Sequence, residues 1–274
     1  MRVLFVGETI EDVYHYGHLL GRATKEPIIV LEHDDTETFK GGVWAAAEHA
    51  RSFCEKVDVL TGNVTVKERW LDIGHMRKLF EVYRTLKETH VSTGDLPIED
   101  YDAVIVTDYG HGMMAPELIE LLNTQAKFLA VNVQTNSGNF GFSLATKYPR
   151  ADYLCMDELE ARLATQNRAG DIKHSVAELS NIAPRVVVTL GRYGAIGWSS
   201  AEGGYTEVPA FTDRVVDTMG AGDAFFAITA LFAKDTPMEE LLRIGNAAGA
   251  LKAQTLGHRT PVTKEALNAY LAAH

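Results

Sequence analysis

AVIVTDYGHGMMAPELIELLNTQAKFLAVNV, running from Ala103 to Val133, is the stretch on which the fold turns. AVIVT is a continuous apolar run, as expected of a parallel strand covered on both faces. A helix opens at Pro116, and KFLAVNV supplies the next strand. Strand, helix and strand in that order imply a parallel pair joined by a crossover. The alternation continues outward, through RVLFVG, a helix around Trp44 to Phe53 and VDVLTG on one side, and DYLCM, a helix from Glu158 and RVVVTLG on the other. The expectation is a mostly parallel sheet with helices on both faces.

Two regions break the rhythm. After Gly191, AIGW, a turn at Gly203-Gly204 and YTEVP read as a hairpin, followed by three helical segments, AFFAITALFA, MEELLRIGNAAGALKAQTL and KEALNAYLAAH. Earlier, IIVLE runs into the polar HDDTETFK, and charges mix with KLFEVY between Lys67 and Lys87. These two segments, about 15–40 and 64–90, read as a small β-lid over the main sheet. Repeats and long linkers are absent, so 1–274 reads as one domain.

With 46% hydrophobic residues in 274, the chain can bury a sizeable core. Its two cysteines, Cys54 and Cys155, have neither CxxC nor Cys/His spacing and read as buried thiols of a reduced, cytoplasmic protein. MRVLFVGE is too short for a signal-peptide core or a membrane span and reads as the first strand. The net charge of −11 argues against nucleic acid or an anionic membrane as partner. It leaves room for a nucleotide, because a helix N-terminus can hold phosphate whatever the global charge. His111 and His258 are dispersed, which argues against a histidine-bound zinc.

Ligands of open α/β sheets gather beyond the carboxyl ends of the strands. Asp12, Asp108, Asn132, Gln134, Asp157 and Gly191 all fall there. Each could equally be a helix cap or a turn residue. DTMGAGDAFFA, Asp217 to Ala227, is sharper. Gly220, Ala221 and Gly222 leave the backbone uncrowded where a strongly apolar helix opens, so their N–H groups can converge on a transferring phosphoryl group. Asp223, in the first turn, then stands where a general base would meet the acceptor hydroxyl. The other reading is a tight turn with a stabilising acid.

DTMGAGDAF resembles the C-terminal signature of ribokinase-like (PfkB) sugar kinases, and the resemblance extends over essentially the whole chain. VGETIEDVYHYG, Arg22 with Glu26-Pro27, and TDYGHGMM are similar to segments of the kinase domain of bacterial heptose-7-phosphate kinases. The resemblance implies a three-layer α/β fold, ATP and magnesium as cofactors, and transfer of the γ-phosphoryl to a sugar or sugar phosphate. It makes Asp223 the base and Gly220 to Gly222 the anion hole. Asp12, Gly41, Gly42, Asp108 and Arg22 become the acceptor side. VVVTLGRYGA places Thr189, Gly191 and Gly194 beside the nucleotide phosphates or ribose, and Asn246 near the adenine. Lid strands that pair between subunits would give a homodimer.

Two departures stand out. The family's Asn-x-x-Glu, which helps organise magnesium, reads here as Asp157 and Glu160. Glu160 then either acts on the metal through water or is an exposed helix acid. The family's Asn two residues after the glycine pair, a sugar contact, is missing here, where the chain reads Gly41, Gly42, Val43, Trp44, Ala45. Trp44 stacks on a sugar face or packs in the core. NVQTNSGN, Asn132 to Asn139, is either a polar ligand reader or an ordinary loop. Among Arg22, Lys25, Lys40, Lys67, Arg69, Arg77 and Lys78, one or two cations would grip a phosphorylated acceptor. Rival readings are a kinase of a nucleoside or other small hydroxylated molecule, and a non-catalytic nucleotide- or sugar-binding module, which could be partnered with a nucleotidyltransferase.

Overall fold

A computed structural model describes residues 1–62, 64–85, 91, 97–211 and 214–274. The main sheet contains β1 (Arg2–Gly7), β4 (Lys56–Leu60), β7 (Ala103–Asp108), β8 (Leu129–Val133), β9 (Tyr153–Asp157), β10 (Arg185–Thr189), β11 (Ala195–Ser199) and β12 (Gly204–Val208). Their spatial order is β12-β11-β10-β9-β8-β7-β1-β4. Only the β11–β12 end is antiparallel. A mostly parallel sheet is what the resemblance to ribokinase-like kinases implies.

Period-two alternation assigns each strand residue to a layer. Leu4, Val6, Val104, Val106 and Val131 pack on one face against α2 (Pro116–Gln125), α3 (Glu158–Ala164) and α4 (Ile172–Leu179). Val3, Phe5, Ala103, Ile105 and Ala130 pack on the other against α1 (Val43–Ala50), α5 (Ala221–Phe232) and α6 (Met238–Ala253). A third cluster joins α5 and α6 to α7 (Lys264–Ala273) through Ile228, Ala248 and Leu267. Strands buried on both faces need continuous apolar runs, and the sequence supplies them. Helix α4 was not among the expected elements.

The lid is a second sheet in the order β3-β2-β5-β6, from β2 (Thr9–Arg22), β3 (Ile29–Gly42), β5 (Val64–Asp72) and β6 (Arg77–Thr85). It begins at Thr9, earlier than the expected 15, and β3 runs to Gly42. Ile10, Asp12, Tyr14 and Tyr16 alternate inward along β2, so the strand is one-sided from its start. Residues 86–90 of the expected second segment lie outside the described residues. Tyr14, Tyr16 and Leu71 pack with Met219, seating the lid on the turn before α5. Cys155 is buried, whereas Cys54 is half-buried, a correction to the expectation of two buried thiols. Among the described residues no helix is long and apolar enough to cross a membrane.

Candidate active site

Helix α5 is apolar nearly all round, and Ala224, Phe225, Phe226, Ala227 and Ile228 are buried immediately after its first turn. That burial fixes the direction in which its N-terminus points. Gly220, the N-cap, is left-handed at φ 73°, and a Cβ there would lie 3.2 Å from His258 Cε1 and 3.3 Å from Lys252 Cε. Nothing lies within 4 Å of a Cβ built on Gly222. The Ala221 N–H donates to the Thr218 carbonyl at 3.2 Å. This corrects the expectation of three convergent donors, because the Ala221 amide is turned back into the loop.

Asp223 is half-buried. Its Oδ1 accepts from Gln134 Nε2 at 2.6 Å and from the Tyr109 hydroxyl at 3.1 Å. Gln134 also donates to Asn132 Oδ1 at 3.0 Å, and Asn132 donates to the Cys155 carbonyl at 2.9 Å. A chain of side chains from the end of β8, anchored on the β9 backbone, thus orients the carboxylate. Both bonds use one oxygen, Oδ1. The loop carrying Tyr109 is tied down by buried Glu8, which accepts from the backbone N–H groups of Tyr109 and His111 at 3.0 Å. Burial, and then the Asp108 charge, push the Glu8 carboxyl above its usual range.

On the lid side, buried Asp12 is paired with Arg69 and lies 3.2 Å from His258 Nε2. Burial opposes its ionisation, but the His258 hydrogen bond and the Arg69 charge prevail and hold it below the usual carboxylate range. Arg69 also meets Glu81 at 2.5 Å. A Cβ on Gly41 would sit 2.3 Å from Asp12 Oδ2, so a glycine there is a condition of the pair. Gly42, at φ 63°, caps α1. Lys67 is buried opposite Asp12 in the lid register, among the charges of Arg69, Asp12, Glu81 and Asp223. His258 touches Asp12 and abuts Gly220, and Lys67 feels both carboxylates. Asp12 and Asp223 therefore both lie within the field of Lys67.

On the opposite side of the α5 mouth lies an open cavity of about 920 Å³, within the range of ligand pockets. Asp157, Thr189, Gly191, Gly194 and Asn246 line it, together with Ala221 and Gly222. Phe211, Val215, Phe225 and Ala250 give it an apolar wall suited to an aromatic base. The Asn246 amide donates to the carbonyls of Val208 and Pro209, both at 3.0 Å, so its donors hold the end of β12. Asp157 caps α3 in a reciprocal capping box with Glu160. Glu160 is buried, which corrects the alternative of an exposed helix acid. Burial, and then the Asp157 charge, push its carboxyl up to about 8.

Two expected acceptor residues are placed elsewhere. Asp108 is fully buried beneath the loop, 2.6 Å from Lys147 Nζ and 2.8 Å from the Tyr148 hydroxyl, and it also accepts from the Gly110 N–H. Its carboxylate is consumed in holding the chain that follows β7. Arg22 is exposed at the far end of β2, ten residues from Asp12. At about 3.3 Å per residue that is roughly 30 Å, beyond any side chain's reach. Of the other lid cations, Lys78 holds Asp217 at 3.2 Å and Lys40 lies 3.5 Å over the Trp44 ring. Half-buried Trp44 donates to Thr9 Oγ1 at 3.0 Å.

The sequence profile of pfkB family carbohydrate kinases matches residues 85–265. This chain belongs to that family. Among curated relatives, the bifunctional protein HldE of Granulibacter bethesdensis is 24% identical over 311 residues, covering 94% of this chain and 62% of its own length. The chain spans about three-fifths of the length of such relatives. Among solved structures, Thermotoga maritima ribokinase superposes with a TM-score of 0.77 at 14% identity, covering 99% of both chains. Arabidopsis thaliana ribokinase, solved with ribose and ATP, gives 0.74 at 16%, covering 98% of both.

Within this pfkB frame, Lys252 and Tyr109 have no local signal, and His258 arrives from beyond α5 to meet Asp12. Of the expected lid cations, Arg69 and Lys67 are the ones placed beside Asp12. Gln134 was visible as a polar residue at a strand end, but its partner Asp223 is 89 residues away. The unusual density of amides in NVQTNSGN was the one signal that could have singled it out. Asn136 and Asn139 in that loop both donate to the Tyr109 carbonyl, at 2.7 and 2.8 Å, and so brace the same hydroxyl-bearing residue.

Proposed function

We propose that this chain transfers the γ-phosphoryl group of ATP to a hydroxyl of a sugar or sugar phosphate, with Asp223 as the base. The observation that carries the proposal is Asp223 itself, held through Oδ1 by Gln134 and Tyr109 beside the Gly222 amide. An acceptor hydroxyl lying between Asp12 and Asp223 gives its proton to Oδ2 as its oxygen attacks phosphorus, and ADP departs into the lined cavity. The helix mouth meets the developing negative charge.

ATP as donor is supported by the cavity's size and apolar wall. Magnesium would be held mainly by phosphate oxygens and water, because no group of three potential ligands is preassembled among the described residues. Both Glu160 oxygens already accept a backbone N–H, from Thr135 at 2.9 Å and Asp157 at 2.8 Å, which suits contact through bound water. The metal, when bound, neutralises phosphate charge. On the acceptor side, the buried cations Lys67 and Arg69 beside Asp12 favour an anionic sugar, and the likeness to HldE proteins points the same way, toward a heptose phosphate. We further infer a homodimer through the lid strands.

The test is ADP release with ATP and ribose, fructose 6-phosphate, a heptose 7-phosphate or adenosine as acceptor. The heptose phosphate should turn over fastest. Preference for adenosine would move the reading to a nucleoside kinase, and tight ATP binding without turnover on any acceptor would leave a binding module. Asp223→Asn should lower kcat by about a hundredfold or more while ATP still binds, as expected for a positioned base. Wild-type turnover in that variant would remove Asp223 from the role.

A further inference from the structure

We propose that the ammonium of Lys252 is a fixed internal cation of the phosphoryl-transfer site, placed beneath the Gly220 turn to position the anion hole and to make its potential positive. The proposal rests on reading that turn as the anion hole. Lys252, near the end of α6, is 0% exposed, although lysine is almost never fully buried unless paired. Among the described residues its hydrogen bonds go to neutral oxygens, the Gly257 carbonyl at 2.5 Å and Thr255 Oγ1 at 3.4 Å. A leucine or methionine would fill the same volume without desolvating a charge. The charge therefore needs an explanation beyond packing.

Its surroundings supply one. The stem packs directly under the turn, where a Cβ on Gly220 would lie 3.3 Å from Lys252 Cε. Gly257, whose carbonyl receives the ammonium, donates its N–H to Asp217 Oδ2 at 3.1 Å, and Asp217 Oδ1 accepts from the Met219 N–H at 3.1 Å. The backbone of Val216 and Asp217 donates to the Ala253 carbonyl, next to Lys252 in sequence. Ammonium, Gly257, Asp217 and Met219 thus form a closed circuit around the chain that ends at Gly220. Burial lowers the pKa of the ammonium; the charges of Asp217 and Asp223 oppose that shift, while Lys78 adds to it. A positive charge held in a water-poor site acts on a nearby migrating phosphoryl far more strongly than one in solvent, and needs no reorganisation when the reaction occurs.

Lys252→Met keeps the stem and removes the charge. With whichever of ribose, fructose 6-phosphate and heptose 7-phosphate the unaltered chain turns over fastest, this variant should lose about a hundredfold in kcat. KM for ATP should stay within about threefold, and the thermal midpoint should not fall. Lys252→Ala leaves a hole at the same place, and ammonium or methylammonium should restore its kcat by about tenfold where tetramethylammonium at equal ionic strength does not. ADP with magnesium and aluminium fluoride should bind about tenfold more weakly to Lys252→Met, with ADP alone unaffected. The inference is overturned if Lys252→Met turns over like the unaltered chain, or if no small cation relieves Lys252→Ala. Should Lys252→Met fail to fold, the cation series on Lys252→Ala decides alone. Failure of the kinase reading looks different: the unaltered chain would release no ADP with any of these acceptors.

Discussion

At the scale of single residues, the site depends on which oxygen of a carboxylate is occupied. Gln134 and Tyr109 both bond Asp223 Oδ1, so Gln134 is a positioning residue for the proposed base. Gln134→Leu removes a hydrogen bond to a charged group, worth about 1.5–3 kcal/mol. If that bond orients the base, kcat should fall about 10- to 100-fold. Gln134 does not line the nucleotide cavity, so KM for ATP should hold steady. Parallel changes in kcat and in KM for ATP would mean instead that the variant disturbs the whole cleft. The same scale shows why Asp108 misleads. A polar residue at a strand end looks alike whether it faces a ligand or a buried partner, and the partners that decide it, Lys147 and Tyr148, lie 39 and 40 residues further along.

Among the elements, central strands were legible because burial on both faces forces an unbroken apolar run, and α5 because it is apolar almost all round. The lid strands were harder to bound. Only one face of β2 is covered, and its outward residues Glu11, Val13 and His15 interleave with the buried Asp12 and Tyr14, a mixture that reads as a loop until the pairing with β3 is known. Helix α1 shows how an element is tied to a distant one without any signal nearby. His49 is buried, and its Nδ1 accepts the Val262 N–H at 2.9 Å just ahead of α7. Burial, and then the Lys252 charge, depress its pKa from 6.5 to about 3. A depressed folded-state value means that stability present above pH 6.5 is lost as the pH falls towards 3, because the unfolded chain takes up the proton first. The loss from this group is about 1.4 kcal/mol per pH unit. Urea unfolding between pH 6 and pH 4 should therefore be shallower in its pH dependence for His49→Gln, whose amide oxygen can still accept from Val262. Equal slopes would show that His49 is not held neutral.

For the whole molecule, the lid is the part least explained by a single copy of the chain. Leu20, Ile28, Ile29 and Phe80 are 63%, 53%, 56% and 49% exposed, and among the described residues β3 and β6 are the unpaired edges of its sheet. Apolar side chains beside open strand edges invite pairing with another strand unless they are covered. Arg22 stands in register with Ile29 at the same end of the lid, so a lid-to-lid contact would bring it to the other copy instead of to its own Asp12. The chain should then run in light scattering at about twice the mass of one copy at micromolar concentration. Leu20→Asp with Ile29→Asp, which places repelling charges on both sides of such a contact, should convert it to single copies with little change in the thermal midpoint of the main sheet. A mass of one copy for the unaltered chain, or an undisturbed pair in the double variant, would show that the lid's apolar end is closed in some other way.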